Sequence, residues 1–369
     1  MSSTWGERVK ISIFGGSHTP AIGVNIDGLP AGERIDWSEI LVQMKRRAPG
    51  QDATATTRKE RDLPKILCGV NEQGILTGDP VCGIIENTSQ RSEDYDNLLR
   101  VPRPGHADYA AYVKYRGNND IRGGGHFSGR LTAPLVLAGA ICRQILRRRG
   151  VEIGAHGASV GAVRDRMLDP VHLDPQTLKE LQSRYFSVLD PEAGTRMVQR
   201  IEEARIRQDS VGGTIECGIT GLPVGLGGPM FDGVENKLAG IVLGIPGIKG
   251  IAFGDGFDGT SSLGSEHNDP YYMDEFGGIR TRTNHAGGIL GGMTNGMPLI
   301  FKVAVKPTPS IARPQESINV QSLENTELMI KGRHDPCILP RAIPVVEAAA
   351  AVAMMDLWMM EWGTGNDRA

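Results

Sequence analysis

A glycine-rich segment, residues 103–130, constrains the fold of this chain most strongly. It begins Arg103-Pro-Gly-His106-Ala-Asp108 and carries three consecutive glycines, Gly123–Gly125, near its end. Glycine loses more conformational freedom on folding than any other residue, so ordering such a segment is costly. We therefore expect it to bring backbone close to an anionic ligand, next to groups that transfer protons.

The clearest helical pattern of the chain follows this segment directly. Residues 135–149 are rich in Ala, Leu and Ile and end in three arginines before Gly150. Cations in the last turn and a glycine just beyond are usual at the end of a helix, and Pro134 suits its first turn. The loop 123–130 is therefore predicted to lie at a helix N-terminus, where free N–H groups and the helix dipole favour anions.

Length and composition describe a globular protein without general affinity for nucleic acids. The chain has 369 residues, of which 40% are hydrophobic and 22% charged, and its net charge is −3. This length allows one large domain or two ordinary ones, and a nucleic-acid-binding protein would be basic. The N-terminus lacks an apolar signal core, and no run approaches the roughly 20 apolar residues of a membrane span. We expect a cytoplasmic protein that binds neither nucleic acids nor membranes.

The cysteines indicate neither a disulfide framework nor a zinc site. There are five of them, far apart and without a C-x-x-C pair, which is typical of buried thiols in a reducing compartment. No H-E-x-x-H motif is present. We expect no metal, and a metal site built from loops stays open as a minor alternative.

Apolar periodicity and turn residues predict a mixture of strands and helices. The predicted strands are 9–14, 22–26, 65–70, 81–86, 212–220, 249–253 and 298–306. The predicted helices are one that follows the capping-box spacing of 36–39 and ends at 47, one over 135–149, two within 174–208, one near 234–243 and one over 344–361. Because no Pro/Ser-rich linker or tandem repeat is present, the simplest arrangement is a single α+β domain, residues 1–369, that mixes antiparallel sheets and helices.

Four histidines lie beside glycine, proline or charged residues rather than inside apolar stripes. They are His18, His106, His126 and His334. A single loop histidine usually caps or bridges its loop, but these loops also carry Ser17, Asp108, Ser128, Arg130, Arg333 and Asp335. Such groups suit proton transfer near neutral pH and charge-assisted binding of phosphate or carboxylate. The residues alone thus indicate an enzyme that acts on a small anionic substrate by acid–base chemistry.

A series of motifs in a fixed order gives a more specific result. They are GGSH at 15–18, DGLP at 27–30, RRAPG at 46–50, TTRKE at 56–60, GILTGDPVCGIIENTSQRSEDY at 74–95, RPGHADY at 103–109, DIRGGG at 120–125, GDGFD at 254–258, NHAGGILGG at 284–292, KPTPSI at 306–311 and GRHDPC at 332–337. Each motif is modest evidence, but their co-occurrence in this order is highly specific. Over nearly its whole length the chain resembles the chorismate synthase family.

The resemblance implies a reaction, a cofactor and an assembly. The reaction is the 1,4-elimination of phosphate and a ring hydrogen from 5-enolpyruvylshikimate 3-phosphate, which gives chorismate at the last common step of aromatic amino-acid biosynthesis. The family requires reduced FMN although the reaction has no net redox change. The implied assembly is a homotetramer whose subunit packs helices between antiparallel sheets.

The resemblance also implies roles for individual residues. His18 would act at the departing phosphate, His106 would protonate the reduced flavin, and Asp335 would complete removal of the substrate proton. The implied catalytic residues are Ser17, His18, His106, Ser128 and Asp335. The implied substrate-binding residues are Arg47, Arg130 and Arg333. The implied cofactor-binding residues are His126, Phe127, Ser128, Gly292, Lys306, Pro307, Thr308, Pro309, Ser310 and Arg333.

The chain departs from the family pattern where flavin contacts are expected. His126 and Phe127 replace the usual Arg and Ser after the triple glycine, and Pro246-Gly247 replaces an Asn-Ala pair. Gly16 replaces the Glu of the N-terminal signature, and Ala53 stands where a second basic residue is usual.

Two other interpretations stay open beside an active synthase. One is a module that binds flavin or phosphate without turnover, and the other is a flavin reductase that oxidises NADPH. The length of the chain and the absence of an extra domain favour an external flavin reductase, or another source of reduced flavin, with NADPH as a candidate reductant.

Overall fold

The strands and helices of the chain follow one another in a mixed order. The computed structural model describes residues 3–51, 61–88, 100–330 and 334–364. The strands are β1 (Thr4–Trp5), β2 (Lys10–Gly15), β3 (Ala21–Asp27), β4 (Pro64–Cys68), β5 (Val81–Glu86), β6 (Glu152–Val160), β7 (Val163–Arg164), β8 (Gly213–Thr220), β9 (Ile248–Phe253), β10 (Tyr271–Met273), β11 (Ile279–Thr281), β12 (Ile289–Leu290), β13 (Met293–Thr294), β14 (Leu299–Val305), β15 (Gln315–Asn319) and β16 (Glu324–Leu328). The helices are α1 (Trp37–Arg47), α2 (Asp108–Tyr115), α3 (Thr132–Arg148), α4 (Pro175–Leu181), α5 (Pro191–Ile206), α6 (Val234–Val242), α7 (Gly264–His267) and α8 (Leu339–Glu361).

Two five-stranded sheets form the main β structure of the described ranges. The first has the strand order β1-β2-β3-β5-β4, and the second has the order β7-β6-β8-β14-β9. All neighbouring strands in both sheets pair antiparallel. The strands predicted from the sequence are all present, with ends that differ by at most two residues.

Helices α3 and α8 lie between the two sheets. Helix α3 contacts β3 and β5 of the first sheet, and α8 contacts β6 and β8 of the second. The two helices approach closely at Gly139, where an added Cβ would lie 2.3 Å from Cα of Ala348. Most residues of both helices are buried. The predicted α+β sandwich, with helices packed between antiparallel sheets, is confirmed.

Helix α8 is longer than the sequence pattern indicates. It begins at Leu339 rather than at residue 344, because Pro340 lies in the first turn, where the missing N–H costs nothing. Pro344 is inside the helix, so its missing N–H falls opposite the carbonyl of Pro340. By length and composition α8 could span a membrane, so the expectation that no segment approaches this limit is wrong. Since 89% of its most apolar window is buried inside the protein, α8 is a core helix here.

Helix α1 is capped at its N-terminus and ends in a buried arginine. Asp36 caps its N-terminus by accepting a hydrogen bond from the Ser38 N–H at 2.8 Å. Glu39 pairs with Arg147 at 2.8 Å instead of completing the capping box. At the other end of the helix, Arg47 is buried in the last turn.

The second sheet carries a buried ionic cluster on its outer face. His156 of β6 is fully buried, with Nδ1 at 3.0 Å from Oδ2 of Asp165 and Nε2 at 3.0 Å from Oε2 of Glu216. The same face contacts α4, since a Cβ on Gly154 would lie 3.0 Å from Cβ of Leu178. Through these contacts the cluster links the segment after β7 to strands β6 and β8.

Candidate active site

Two buried arginines, one at the end of α1 and one in the turn before α3, meet at one carboxylate. Nη1 of Arg47 donates to Oδ2 of Asp62 at 2.9 Å, and Nη1 of Arg130 donates to Oδ1 of the same residue. Arg47 also donates to the carbonyl oxygen of Gly129 at 2.7 Å, and Nε of Arg130 donates to Oδ1 of Asn87 at 3.0 Å. The three charged side chains are at most 4% exposed. Two cations around one anion leave a net positive charge, which favours phosphate or carboxylate ligands.

The ionisation of this cluster is set by burial and by the opposing charges. Burial disfavours the charged form of Asp62, but Arg47 and Arg130 outweigh it and lower the pKa of that carboxyl. Burial lowers the pKa of Arg47 to about 10, while Asp62 counteracts the shift. At neutral pH Arg47 is therefore a cation and Asp62 an anion.

The turn that carries Ser17 and His18 packs against the triple glycine. The Ser17 N–H donates to the carbonyl oxygen of Gly125 at 3.0 Å. A Cβ on Gly123 would lie 2.5 Å from both Oγ of Ser17 and Cε1 of His18, and Gly123 has φ +58°. Ser17 and His18 are buried, with 3% and 6% exposure. Glycine is required here because any side chain would push this turn away.

A carboxylate and a guanidinium hold His106. Its Nδ1 lies 2.5 Å from Oδ1 of Asp108, and Arg103 donates to the same carboxylate from Nε at 2.7 Å and from Nη2 at 2.8 Å. Nη2 of Arg103 lies 3.1 Å from the same Nδ1, but the carboxylate contact is shorter, so we place a proton on Nδ1 that is donated to the carboxylate of Asp108. Nε2 then faces Gly124, where an added Cβ would lie 3.2 Å away.

The carboxylate of Asp108 is ionised in this arrangement. Burial alone would raise the pKa of Asp108, but hydrogen bonds from Arg103 and His106 hold it below its usual value. Asp108 therefore orients the imidazole of His106 by accepting a hydrogen bond from Nδ1.

The segment 306–310 follows strand β14 and lies against the same turn. Nζ of Lys306 donates to the carbonyl oxygen of Gly105, and Nη1 of Arg103 donates to Oγ of Ser310 at 3.2 Å. Two segments about 200 residues apart in sequence thus meet through two hydrogen bonds, and each segment supplies one of the two cationic donors.

The same segment also reaches Asp335 and the turn around residue 105. Oγ1 of Thr308 donates to the carbonyl oxygen of Asp335 at 2.9 Å. A Cβ on Gly105 would lie 3.6 Å from Cβ of Pro309. The structure therefore brings predicted cofactor-binding residues beside two predicted catalytic residues, His106 and Asp335.

Three further predicted positions have contacts of their own. Pro307 packs against Gly212, whose added Cβ would lie 3.0 Å from Cδ of the proline. The N–H of Lys306 donates to the carbonyl oxygen of Gly247 at 2.9 Å, so the altered pair 246–247 borders this segment. Gly292 lies in the tight β12–β13 hairpin with φ +85°.

Arg341, in the first turn of α8, connects Asp335 with the arginine cluster. Its Nη1 lies 2.6 Å from Oδ2 of Asp335, and its Nε donates to the carbonyl oxygen of Arg47 at 3.1 Å. Burial opposes the charge of Arg341, but Asp335 and then Asp62 outweigh it and raise its pKa.

Both ring nitrogens of His126 contact protein groups. Nδ1 lies 2.7 Å from the carbonyl oxygen of Gly15, and Nε2 lies 2.6 Å from Oγ of Ser3. The ring of Phe127 meets Tyr115 edge-on, with 6.3 Å between ring centroids. These two residues therefore tie the glycine loop to the N-terminal strands and to α2.

Ser128 orients the backbone of Arg130. Its Oγ accepts a hydrogen bond from the Arg130 N–H at 3.3 Å and caps the short 3₁₀ turn over 129–131. Arg333 lies outside the described residues, and so do Ala53 and the motif at 56–60.

Three residues of the site, Asp62, Asn87 and Arg341, are not predicted from the sequence. Asp62 and Arg341 lie just after quoted motifs, and Asn87 lies inside one. The available signal was charge balance, because arginines that become buried require a carboxylate nearby.

Comparisons with known proteins cover the same elements. A family model described as chorismate synthase matches residues 9–359. A chorismate synthase of Lancefieldella parvula is 42% identical over 96% of this chain and 96% of its own length. Those of Thermococcus kodakarensis and Methanothermobacter thermautotrophicus are 43% and 41% identical, each over 95% of this chain, and over 96% and 92% of their own lengths.

A solved structure shares the fold. It is a crystal structure of chorismate synthase with a TM-score of 0.75 and 24% identity, which covers 97% of this chain and 94% of its own. Since the family match spans nearly the whole chain, including every described element of the site, the chain belongs to the chorismate synthase family.

Proposed function

We propose that the side chains around Arg47, His106 and Asp335 are the active site for the reaction of this family. As a chorismate synthase, the chain is a lyase of the shikimate pathway that converts 5-enolpyruvylshikimate 3-phosphate to chorismate and phosphate. The match over residues 9–359 is the observation that carries this activity. We also propose that the chain works as one domain.

Three arginines are proposed to bind the phosphate and the two carboxylates of the substrate. They are Arg47, Arg130 and Arg333. The first two meet at Asp62 in a buried place, where solvent screens their charge little. Arg333 precedes Asp335 by two residues in the sequence.

His18 is proposed to assist the departing phosphate as an acid or a cation. Ser17 would orient groups beside it, and Ser128 would hold the backbone of Arg130 toward the same region. Support comes from the burial of Ser17 and His18 against Gly123, which fixes both side chains beside the glycine loop.

His106 and Asp335 are proposed to move protons. The Nδ1 proton of His106 points to Asp108, so proton exchange would occur at Nε2, which faces Gly124. Asp335 would take part in removal of the ring hydrogen of the substrate. Its backbone is held by Thr308 and its carboxylate by Arg341.

The residues of 306–310 fit a flavin that carries a phosphate. Arg103 donates to the hydroxyl of Ser310, and Lys306 donates to the carbonyl oxygen of Gly105. Two cations thus lie along this segment, and such donors suit a phosphate group. The family depends on reduced flavin, which when bound would supply electron density for the loss of phosphate. We propose that the flavin is FMN. Its proposed contacts are His126, Phe127, Ser128, Gly292, Lys306, Pro307, Thr308, Pro309, Ser310 and Arg333.

The two substituted residues would contribute ring surface rather than charge. Both nitrogens of His126 already contact Gly15 and Ser3, and Phe127 has only an apolar ring to offer. We therefore propose that flavin affinity in this chain rests more on Lys306 and its neighbours than on the residues after the triple glycine.

A homotetramer in the cytoplasm is proposed for the assembly. Large apolar side chains are exposed on several turns and loops, among them Phe231 at 81%, Phe257 at 85% and Phe276 at 88%. Burial of such side chains against another subunit would remove apolar surface from water. The described cysteines are all free, which supports a reducing compartment. An external flavin reductase, with NADPH as a candidate reductant, is proposed to supply reduced flavin.

Anaerobic titration with oxidised and reduced FMN, each with and without substrate, tests the proposed site. We expect reduced FMN to bind more tightly when the substrate is present, with a change in the flavin spectrum, because both ligands share one site. Absence of FMN binding in either redox state, even with substrate, would contradict the proposal. Ligand-dependent thermal stabilisation without turnover would instead favour a binding module.

A further inference from the structure

We propose that Arg341 is a positioning residue that fixes the carboxylate of Asp335 for proton transfer. This inference rests on the proposed function of Asp335. Nη1 of Arg341 lies 2.6 Å from Oδ2 of Asp335, and Nε donates to the carbonyl oxygen of Arg47 at 3.1 Å. One planar guanidinium thus joins the C-terminal end of α1 to the segment before α8.

Asp335 is held from two sides in this arrangement. Oγ1 of Thr308 donates to its backbone carbonyl at 2.9 Å, while Arg341 binds its carboxylate. The side chains of Arg341 and Asp335 are only 17% and 13% exposed, so water screens the pair weakly. A carboxylate anchored through both backbone and side chain has little rotamer freedom left.

The surrounding charges indicate that Asp335 is the main electrostatic partner of Arg341. Its positive charge disfavours the protonated form of Arg47, so the guanidinium adds repulsion to a cluster that already contains two buried arginines. Asp335 contributes most to offsetting the burial of Arg341, ahead of Asp62. A third cation is thus kept beside the cluster mainly through its contact with the proposed catalytic carboxylate.

Replacement by lysine separates the geometry of Arg341 from its charge. A lysine keeps the positive charge but has a single ammonium, so it cannot reach Asp335 and the Arg47 carbonyl in two directions. In R341K we expect kcat to fall by about 10- to 100-fold. We expect KM for the substrate to stay within about threefold, because the guanidinium groups of Arg47 and Arg130 keep their contacts with Asp62.

A double-mutant cycle tests whether the effect passes through Asp335. The variants are R341K, D335N and R341K/D335N, with kcat and KM measured under anaerobic conditions with reduced FMN. If Arg341 only positions Asp335, then D335N has already removed what R341K disturbs. The double variant should then match D335N within about twofold in kcat.

A buried arginine outside the proposed site provides the matched control. Arg143 of α3 lies 3.6 Å from Glu347 of α8, and both side chains are at most 5% exposed. R143K should lower Tm and leave kcat within about twofold, because this pair joins two core helices. If R341K fails to fold, R341Q takes its place, and its Tm should be compared with that of R143K.

The outcomes distinguish this role from the proposed function. If the wild type turns over, R341K loses kcat and the double variant matches D335N, both the proposed function and the role of Arg341 are supported. Turnover by the wild type with kcat unchanged in R341K, or with losses that multiply in the double variant, overturns the role of Arg341 alone. Absence of turnover in the wild type overturns the proposed function and the role of Arg341 with it.

Discussion

Nδ1 of His106 lies 2.5 Å from Oδ1 of Asp108. Because Arg103 donates to the same carboxylate from its backbone N–H and from two guanidinium nitrogens, Asp108 has one fixed orientation. The imidazole is therefore held in one tautomer, with Nε2 toward the backbone of Gly124. A histidine in this setting can exchange a proton at one defined atom.

Replacement of Asp108 by Asn should disable His106 while leaving its side chain in place. The amide of D108N has a single acceptor oxygen, so it cannot accept the hydrogen bond from Nδ1 of His106 and all three from Arg103 as the carboxylate does. We expect kcat to fall by about 10²-fold or more, the range expected when general acid–base catalysis is lost. The measurement is phosphate release under anaerobic conditions, with E202Q as the control because Glu202 forms an exposed ion pair with Arg205. Equal rates in D108N and the wild type would contradict a role of His106 in proton exchange and indicate that it is only a structural residue.

Addition of one methyl group at Gly123 should disturb Ser17 and His18. In G123A the new Cβ would lie 2.5 Å from both side chains, at a backbone φ of +58° that alanine disfavours. We expect a loss of about 1–3 kcal/mol in unfolding free energy and a lower kcat. Gly129 lies in the same loop with nothing within 4 Å of an added Cβ, so G129A should keep near wild-type stability. Equal urea midpoints for G123A and G129A would contradict the packing described here.

Asp62 should stabilise the protein more at neutral pH than in acid. Its pKa is lowered in the fold, so its stabilising effect is present above the unfolded value of about 3.9 and is lost as pH falls toward the folded value. D62N leaves two buried arginines without their carboxylate, and we expect it to cost about 3 kcal/mol at pH 7. Urea unfolding of both proteins from pH 7 down to the lowest pH at which the wild type folds should show this difference shrinking. A constant difference would contradict the assignment.

His156 should show the opposite pH dependence. Although burial disfavours its charge, Asp165 and Glu216 raise its pKa above 6.5. Its stabilising effect is therefore complete below about pH 6.5 and is lost as pH rises through the folded pKa. H156Q should cost about 3 kcal/mol near pH 6 and less at pH 9. The control is H172Q, since His172 is exposed in the segment after β7, and its effect should be small at both pH values.

Local signals predicted seven strands and six helices, but not strand β6 or helix α2, among others. Asp36, Asp174 and Asp190 each cap a helix through a side-chain hydrogen bond, and such caps can be recognised from neighbouring residues alone. The start of α8 was missed by five residues because Pro344 resembles a first-turn proline, while the true first-turn proline is Pro340.

Contacts between distant residues could not be predicted in the same way. Arg341 donates to the carbonyl of Arg47 across 294 residues of sequence, and no local pattern encodes that pairing. Neither strand β6 nor the ionic role of His156 was predicted, and the two carboxylate partners of His156 come from other segments. Ser17, His18, His106 and Asp335 were identified through family motifs, and the structure adds the groups that orient them.

The most direct test of the central claim is phosphate release by the purified protein from 5-enolpyruvylshikimate 3-phosphate, under strict anaerobiosis with excess reduced FMN. We predict release of phosphate in equal amount to chorismate, without net oxidation of the flavin. H18A and H106A should each lower the rate by about 10²-fold or more. No phosphate release by the wild type under these conditions would contradict the account.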